Sequence, residues 1–384
     1  MKRARTALAG CLAAAAMLAL LAAPARATVN WVVHGRGFGH GVGLSAYGAY
    51  GYALHGKGYR FILAHYYKGT TIGTLSKPQV VRVLLTTSSG DVGFSGATSA
   101  CRTTLDPKRN YEAHRIGNSV VLRSSGGKRL ARCGGRLRAA GNGTIEIAGL
   151  GRYRGALETV PEGSGLNVVN ALAVEQYVKG VIPNESPPSW PIAELKAQAI
   201  ISRSFALTAG REGNGFDLYS DTRSQVYKGL ESEYAKTDLA AEQTKGQVVM
   251  YGNEIAETLF SACSGGKTES IKNVFGSPIP YLVGVPDPYD SYCPLHTWTL
   301  KFSGPEISSK LSGYLDGRLA KVAITKTGYS PRIIEAKLYG SGGVTTVTGE
   351  QLEVALGGYS TWMSFEKVVP GGKRGGGASG GASS

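Results

Sequence analysis

A change of hydrophobic periodicity near residue 170 constrains the fold of this chain more than any other feature. Residues 78–160 contain short runs such as VVRVLLTT and SVVLRSS, separated by Gly, Ser and Asn. Such runs are typical of an all-β module. Residues 171–182 and 189–210 instead place apolar residues at helical spacing. The sequence therefore predicts an α+β fold, in which a helical segment packs on mixed sheets and an all-β module is inserted.

Residues 189–210 carry the clearest helix signals. Ser189 is the predicted N-cap, Pro191 suits the first turn, and Gly210 ends the run. Residues 237–250 predict a helix that runs into a strand, and residues 254–263 predict a second strand. The predicted divisions are a signal peptide at 1–27, a Gly/His-rich block at 28–76, a β-rich module at 77–165, a mixed core at 166–368 and a disordered Gly/Ser tail at 369–384.

The first 27 residues have the pattern of a secretory signal peptide. A basic start is followed by an apolar run and by Ala25-Arg26-Ala27. A retained membrane anchor is the alternative, although the apolar run is shorter than the roughly 20 residues that a span needs. We expect cleavage after Ala27, export beyond the cytoplasmic membrane to the cell envelope or the medium, and no stable membrane span afterwards.

Cleavage would remove Cys11 and leave Cys101, Cys133, Cys263 and Cys293. Four cysteines outside the cytosol indicate two disulfides, for which three pairings exist. The sequence-local pairs, Cys101–Cys133 and Cys263–Cys293, are favoured. No Cys-x-x-Cys is present, which argues against a zinc knuckle.

The formal net charge of +15 falls to +11 once the four basic residues of the signal, Lys2, Arg3, Arg5 and Arg26, are lost. A basic exported protein suits an anionic polymer such as a bacterial wall. A merely soluble basic surface is the alternative. Nucleic acid is not an expected partner, because no compact Lys/Arg run occurs in the mature core.

Several familiar catalytic patterns are missing. Gly43-Leu44-Ser45-Ala46-Tyr47 lacks the second glycine of a serine-hydrolase elbow, and His-Glu-x-x-His is absent. A metal pair of His34 and His40 remains an alternative to a packing role for both. The stretch GRGFGHGVGLS, residues 35–45, lacks the ending of a phosphate loop. Its glycines indicate either backbone lying close to a ligand or strand, or a tight β turn.

The remaining possibility is acid/base catalysis by a carboxylate. The candidate is Glu185, the single acid in GVIPNESPPSW, residues 180–190. Breaking a glycosidic bond needs an acid for the leaving oxygen, and hydrolases add a second carboxylate. No obvious partner acid lies near Glu185. One acid suffices if the muramic acid 6-hydroxyl attacks its own anomeric carbon, because the same glutamate then acts as acid and as base. A partly desolvated, proline-lined setting would raise its pKa; a solvated loop glutamate is the alternative.

Residues 171–287 resemble the SpoIID/LytB family of sporulation and cell-wall proteins. The matching stretches are VEQYVKGVIPNESPPSWPIAELKAQAIISRSFAL, YSDTRSQVYKG, TKGQVVMYGNEIAETLFSACSGGKTES and PYLVGVPD. The N-terminal GRGFGHGVGLSAYGAYGYALHGKGYRFILAHYYKGT also looks like a family block, which in the sporulation protein lies at the C-terminal end. The family blocks therefore occur in permuted order, and both ends of the fold should meet in space.

The resemblance implies that Glu185 is the catalytic acid/base of a Glu-x-Pro turn beside a groove for wall glycan. A solvated helix face is the alternative for Lys196 and Arg203, and ordinary packing is the alternative for Gln198. The residues that the resemblance suggests for substrate binding are His40, Ser45, Lys196, Gln198, Arg203, Gln225, Tyr227, Ser264, Gly265, Gly266 and Thr268.

This sequence departs from the family pattern in three places. Ala46 stands where the family usually has glutamine, and Ser186 stands where it usually has methionine. Some members bind zinc in the stretch that corresponds to YSDTRSQVY, but here the positions are Ser220, Arg223 and Ser224. We therefore expect no metal and no cofactor. The positive charge of Arg223 is a candidate to replace part of the structural role that zinc has in those members.

By this resemblance the chain is an exported lytic transglycosylase that cleaves peptide-stripped peptidoglycan glycan strands to 1,6-anhydro ends. The alternative is a non-catalytic, wall-binding enhancer of an N-acetylmuramoyl-L-alanine amidase, and such an amidase is then the partner. A secreted scaffold with a decayed site is a third interpretation, suggested by Ala46 and the missing zinc ligands.

Overall fold

The computed structural model describes residues 29–368. The predicted signal peptide at 1–27 and the predicted tail at 369–384 lie outside these residues. Helices and several mixed sheets confirm the α+β class. Within the described residues the helices are α1 (Ala46–Leu54), α2 (Tyr59–Tyr66), α3 (Val174–Glu185), α4 (Ile192–Thr208), α5 (Ala235–Gln243), α6 (Ile271–Phe275), α7 (Gly304–Lys310) and α8 (Gly349–Leu356). None of them is long and apolar enough to cross a membrane.

The strands of the same part of the chain are β1 (Val29–Arg36), β2 (Leu44–Ser45), β3 (Thr71–Thr74), β4 (Val80–Ser88), β5 (Val92–Ser95), β6 (Ser99–Ala100), β7 (Thr103–Thr104), β8 (Tyr111–Ile116), β9 (Ser119–Ser124), β10 (Arg129–Gly134), β11 (Leu137–Ala140), β12 (Ile145–Ile147), β13 (Gly151–Tyr153), β14 (Ala156–Glu162), β15 (Gly165–Ala173), β16 (Leu218–Tyr219), β17 (Gln247–Tyr251), β18 (Glu254–Ile255), β19 (Phe260–Ser261), β20 (Thr297–Ser303), β21 (Leu319–Thr327), β22 (Ile333–Gly340), β23 (Gly343–Thr348) and β24 (Met363–Lys367).

The predicted β-rich module consists of two sheets that share one apolar core. One sheet has the order β16-β4-β15-β14-β11-β6-β7, and the other has the order β10-β9-β8-β5-β12-β13. Strand β15 is buried along almost its whole length, which fits its apolar sequence GLNVVNALA. It continues past the predicted boundary at 165 and runs directly into α3. The module therefore holds the start of α3 in a fixed place.

Helix α4 forms as predicted, but its start differs. Ser189 does not cap the helix; Pro191 is the flanking residue and Ile192 the first helical one. The reason is local, because the Trp190 N–H donates to the Pro187 carbonyl (3.0 Å) and so residues 187–190 form a turn. Helices α1, α2, α3 and α5 all pack against α4, which makes it the central helix of the core.

Helix α3 lies three residues later than its predicted span of 171–182. Residues 171–173 complete β15, and the helix continues to Glu185. Glu185 is therefore the last residue of a helix and not part of the link to α4. The helix and strand predicted over 237–250 are confirmed as α5 and β17, whereas the strand predicted over 254–263 is two short strands, β18 and β19.

The two ends of the described chain meet in one sheet. Strand β1 lies between β20 and β24 and is antiparallel to both, with Val33 opposite Leu300 on one side and Phe365 on the other. A second sheet, β21-β22-β23, packs with α7 and α8 on the same apolar core. This arrangement confirms the expectation that the permuted order brings the ends together.

Both predicted sequence-local disulfides are present. Cys101 and Cys133 have Cα atoms 5.1 Å apart, and Cys263 and Cys293 have Cα atoms 6.2 Å apart. Cys101 directly follows β6 in one sheet of the module, and Cys133 lies in β10 of the other. The first bridge therefore ties the two sheets together.

Replacing Cys101 and Cys133 together by alanine should lower the free energy of unfolding by about 4 kcal/mol, because the bridge closes a loop of 32 residues in the unfolded chain. Urea titration of the variant and of the parent measures the difference. Ser125→Ala at an exposed position of the same module is the matched control. A loss below about 1 kcal/mol would show that this bridge does not constrain the unfolded state.

Candidate functional site

The Glu185 carboxyl lies half-buried at the C-terminal end of α3. Its Oε1 accepts a hydrogen bond from the Val226 N–H at 2.7 Å. Glu185 forms no ion pair with a described residue, and it lines none of the five cavities described in residues 29–368. The acid is therefore fixed through one oxygen and stands at a partly open surface.

The pKa of Glu185 is raised above that of an ordinary glutamate, chiefly because burial penalises the charged form. The Val226 N–H opposes this shift, since it stabilises the carboxylate. The position at the end of α3 acts in the same direction as burial, because the C-terminal end of a helix carries partial negative charge. Glu185 therefore keeps a proton to higher pH than a solvated glutamate would.

Two of the residues predicted for substrate binding, Gln225 and Tyr227, lie on either side of Val226. The Tyr177 hydroxyl donates to the Gln225 Oε1 (3.1 Å), and the Tyr227 hydroxyl donates to Asn170 in β15 (2.7 Å). Both predicted side chains are buried. These contacts fasten the segment that donates to Glu185, so both residues have an internal role that supports the acid.

A buried acid that the sequence reasoning missed lies next to this turn. Glu194, in the first turn of α4, is fully buried, and its Oε1 accepts a hydrogen bond from the Ser186 hydroxyl at 2.7 Å. Burial raises the pKa of Glu194 to about 8, and the Ser186 bond opposes the rise. The sequence did contain a sign of this contact, because Ser186, which donates to Glu194, is one of the departures from the family pattern.

Aromatic rings extend from the turn that follows Glu185. The Trp190 ring lies 4.9 Å from that of Tyr47 and 4.7 Å from that of Tyr50, centroid to centroid. Tyr50 in turn contacts Tyr292, which is exposed. The sequence analysis did not select these residues, since their positions in the chain are far apart.

Other predicted contact residues form a buried polar network with two aspartates. The Ser45 hydroxyl donates to Asp290 (2.8 Å) and accepts from the Gly48 N–H, which caps α1. The Ser264 hydroxyl donates to Asp287 (2.7 Å), and burial with the charge of Asp290 raises the pKa of Asp287 to about 7. Ser45 and Ser264 are fully buried, so they hold the core together in this structure.

The neighbouring predicted residues belong to the same internal network. The Gly265 N–H donates to Asp290 (2.8 Å), and the Gly266 N–H donates to the Ser264 hydroxyl (3.0 Å). Thr268 is buried, and its Oγ1 accepts from the Val285 N–H at 2.8 Å. A substrate-binding role for any of them remains a prediction.

On α4 the three predicted residues contact groups other than Glu185. Arg203 is fully buried and forms a two-pronged ion pair with Glu175 (3.0 and 2.7 Å), so the alternative of a solvated helix face is wrong for this residue. Gln198 is also buried and donates to Ser202. Lys196 is half-buried, with its Nζ 5.8 Å from the centre of the Tyr59 ring.

The stretch YSDTRSQVY contacts Glu185 only through the Val226 N–H, whereas His34 and His40 make other contacts. Burial, together with the charge of Arg332, lowers the pKa of His40 to about 4, whereas His34 contacts Glu366. Arg223 pairs with Asp221 (2.7 Å) and lies over the Tyr219 ring. Within residues 29–368, no three His, Cys, Asp or Glu side chains are grouped so that they could hold a metal ion.

The region around Glu185 is similar to known proteins. The family described as stage II sporulation protein matches residues 162–251, which include α3, α4 and α5. An uncharacterized protein of Brachyspira hyodysenteriae is 38% identical over 165 residues, which cover 42% of this chain and 45% of that protein. His40 and the segment 264–268 lie outside the matched region.

Two relatives from Bacillus subtilis (strain 168) carry functional names. The amidase enhancer is 38% identical over 133 residues, or 35% of this chain and 18% of the enhancer. Stage II sporulation protein D is 30% identical over 206 residues, or 49% of this chain and 59% of that protein. The chain thus spans between 18% and 59% of the length of these three relatives. The family match and these relatives support the resemblance of this chain to the SpoIID/LytB family.

Proposed function

We propose that this protein is an exported lytic transglycosylase that cleaves the glycan strands of peptidoglycan, with Glu185 as its single acid/base. The observation that carries the proposal is the state of the Glu185 carboxyl. One oxygen is held by the Val226 N–H, no ion pair neutralises it, and its pKa is raised by burial. These are the properties that a general acid needs near neutral pH.

The reaction needs no water and no second carboxylate. Protonated Glu185 gives its proton to the oxygen that bridges the two sugars, and the bond from that oxygen to the muramoyl C1 breaks. The resulting carboxylate takes the proton from the muramoyl 6-hydroxyl as this oxygen forms a bond to C1. Glu185 ends protonated, as it began, and the product carries a 1,6-anhydro ring.

The surroundings of Glu185 suit a long substrate. The acid is half-buried, and the exposed Tyr292 ring packs on Tyr50, which packs on the buried Trp190 of the following turn. Aromatic faces pack well against the apolar faces of sugar rings. The formal charge of +11 after loss of the signal would favour association with an anionic wall.

A second function is favoured by the relative named amidase enhancer. In that case the protein binds the wall glycan, Glu185 is one groove residue among others, and a cell-wall amidase is the partner. The two functions differ in one respect that can be measured, since only the first one changes the covalent structure of purified glycan.

Glu185→Gln should abolish the formation of anhydro ends from peptide-free glycan strands, because an amide can neither donate the first proton nor accept the second. Mass spectrometry of the soluble products measures the effect, and we expect a loss of at least 100-fold. Glu212→Gln, at an exposed glutamate, is the matched control and should keep full activity. Glycan binding without products in the parent protein would favour the enhancer and contradict the lyase.

Glu194→Gln should change how stability depends on pH. Between the ordinary glutamate pKa of 4.5 and the folded-state value of about 8, the unfolded chain has lost this proton and the folded chain keeps it, so stability falls as pH rises. The variant should lose this contribution, about 1.4 kcal/mol per pH unit. Urea unfolding at pH 5, 6, 7 and 8 measures the slope.

The difference between parent and Glu194→Gln isolates this residue, because Asp287 and His40 contribute equally to both slopes. Glu212→Gln again serves as the control, since that side chain is exposed. Parallel stability profiles for the parent and the Glu194 variant would mean that Glu194 is ionised in the folded protein. The Ser186 hydroxyl would then donate to a buried carboxylate.

A further inference from the structure

A cleft of about 580 Å³ lies between α6 and α8, and it is separate from Glu185. Residues 273–275 line one side, and residues 348–350, 353 and 354 line the other. A volume between about 300 and 1,000 Å³ is typical of a site for a small ligand or for the end of a larger one. We call this space the Arg332 cleft, after the cationic side chain that lines it.

Arg332 is only 2% exposed, and much of its guanidinium has no partner. Its Nη2 donates to the Ser264 carbonyl (3.1 Å), whereas Nε and Nη1 have no hydrogen-bond acceptor among the described residues. Burial lowers the pKa of Arg332 to about 10, so the group stays charged at neutral pH. The charges of Glu269, Glu353 and Asp290 act on Arg332, but its Nε and Nη1 stay buried without an acceptor. Buried donors without an acceptor are costly, and an anionic ligand group would remove that cost.

Glu269, a buried acid whose charge acts on Arg332, accepts hydrogen bonds from other groups. Glu269 accepts from the Ser330 hydroxyl (2.6 Å), from the Ser330 N–H (3.0 Å) and from the Tyr329 N–H (3.0 Å). Asn273 adds a further bond to the same carboxylate at 2.9 Å. Glu269 therefore holds the loop before β22 in place, and it forms no ion pair with Arg332.

Two more acids line the cleft on α8. Glu350 is exposed, and Glu353 is half-buried with a pKa raised mainly by burial. The positive charge of Arg332 opposes that shift and the negative charge of Glu350 adds to it, so all three groups are close enough to interact. The cleft is thus lined by one cation, Arg332, and by two acids of α8, Glu350 and Glu353.

The rim between these groups is apolar and unusually exposed. Val354 is 74% exposed, Phe275 is 56% exposed and Val274 is 38% exposed. All three line the same cleft. Exposed apolar side chains that gather beside convergent polar groups are typical of a binding site, and single scattered ones are not.

We propose that the Arg332 cleft binds the free end of a wall stem peptide, with its carboxylate at Arg332, its primary amine at Glu350 and Glu353, and its aliphatic part against Val354 and Phe275. An N-acetylated glycan offers no cation for the two acids. A stem peptide supplies a carboxylate, an amine and an alkyl chain together, as this set of side chains requires.

This inference rests on the proposed function, because it takes the wall as the target. It adds a second contact of a different chemical class. Glu185 would act on bare glycan, while the Arg332 cleft would hold neighbouring strands that still carry their peptides. Such a contact would keep the protein at the border between stripped and unstripped wall.

Isothermal titration calorimetry with N-acetyl-L-alanyl-γ-D-glutamyl-L-lysine tests the proposal on the purified protein. The same peptide with its lysine carboxyl amidated loses the group that meets Arg332, and the peptide with an acetylated lysine amine loses the group that meets the acids. We expect each change to weaken binding at least tenfold, since each leaves charged groups of the cleft unpaired.

Variants assign the two ends of the peptide. Glu350→Gln with Glu353→Gln should weaken binding of the parent peptide at least tenfold and leave the weak binding of the acetylated peptide unchanged. Val354→Asp should weaken all three peptides. Glu212→Gln is the matched control, and Glu185→Gln should bind the peptide like the parent, so that failure of the proposed catalysis and failure of this cleft are told apart.

Three results would overturn the proposal. They are equal binding of the three peptides, absence of binding by the parent peptide at millimolar concentration, and binding of inorganic phosphate as tight as that of the peptide. The last result would make the cleft a site for simple anions. Arg332→Lys tests the cation separately, and circular dichroism of that variant shows whether it folds.

Discussion

The hydrogen bond from the Val226 N–H to Glu185 joins two distant parts of the core, and the proposed chemistry depends on it. It links the end of α3 to the segment that contains Gln225 and Tyr227. That segment is itself fastened to α3 through Tyr177 and to β15 through Asn170. The β module, the helical core and the candidate acid are thereby fixed to one another.

Much of the fold follows from local signals in the sequence. The strands of residues 78–160, helix α4 and both disulfides could be predicted because alternation, helical spacing and proximity in the chain act over short distances. The meeting of β1 with β24 followed from the permuted order of the family blocks. The position of Glu185 at a helix end was not predicted, because the helical spacing ended at residue 182, whereas α3 continues through Pro183 to Glu185.

The site was harder to predict, because contacts between distant residues decide it. Both interpretations of Arg203, substrate contact and solvated helix face, place it on an open surface. Glu175, 28 residues earlier, instead pairs with it in the core. Ser45 and Ser264 matched family blocks, but in this structure they hold Asp290 and Asp287 inside the protein. Ser186 and Glu194 form a buried pair beside the candidate acid, which gives the departure at Ser186 a physical meaning.

The account depends on Glu185 keeping its proton where a solvated glutamate would lose it. Carbon-13 NMR of the side-chain carboxyls over a pH titration measures this directly, with the Glu185 signal assigned by its absence in Glu185→Gln. We predict a titration midpoint above the ordinary value of 4.5, because burial and the end of α3 both penalise the charge. A midpoint at or below 4.5 would contradict the assignment of Glu185 as the acid.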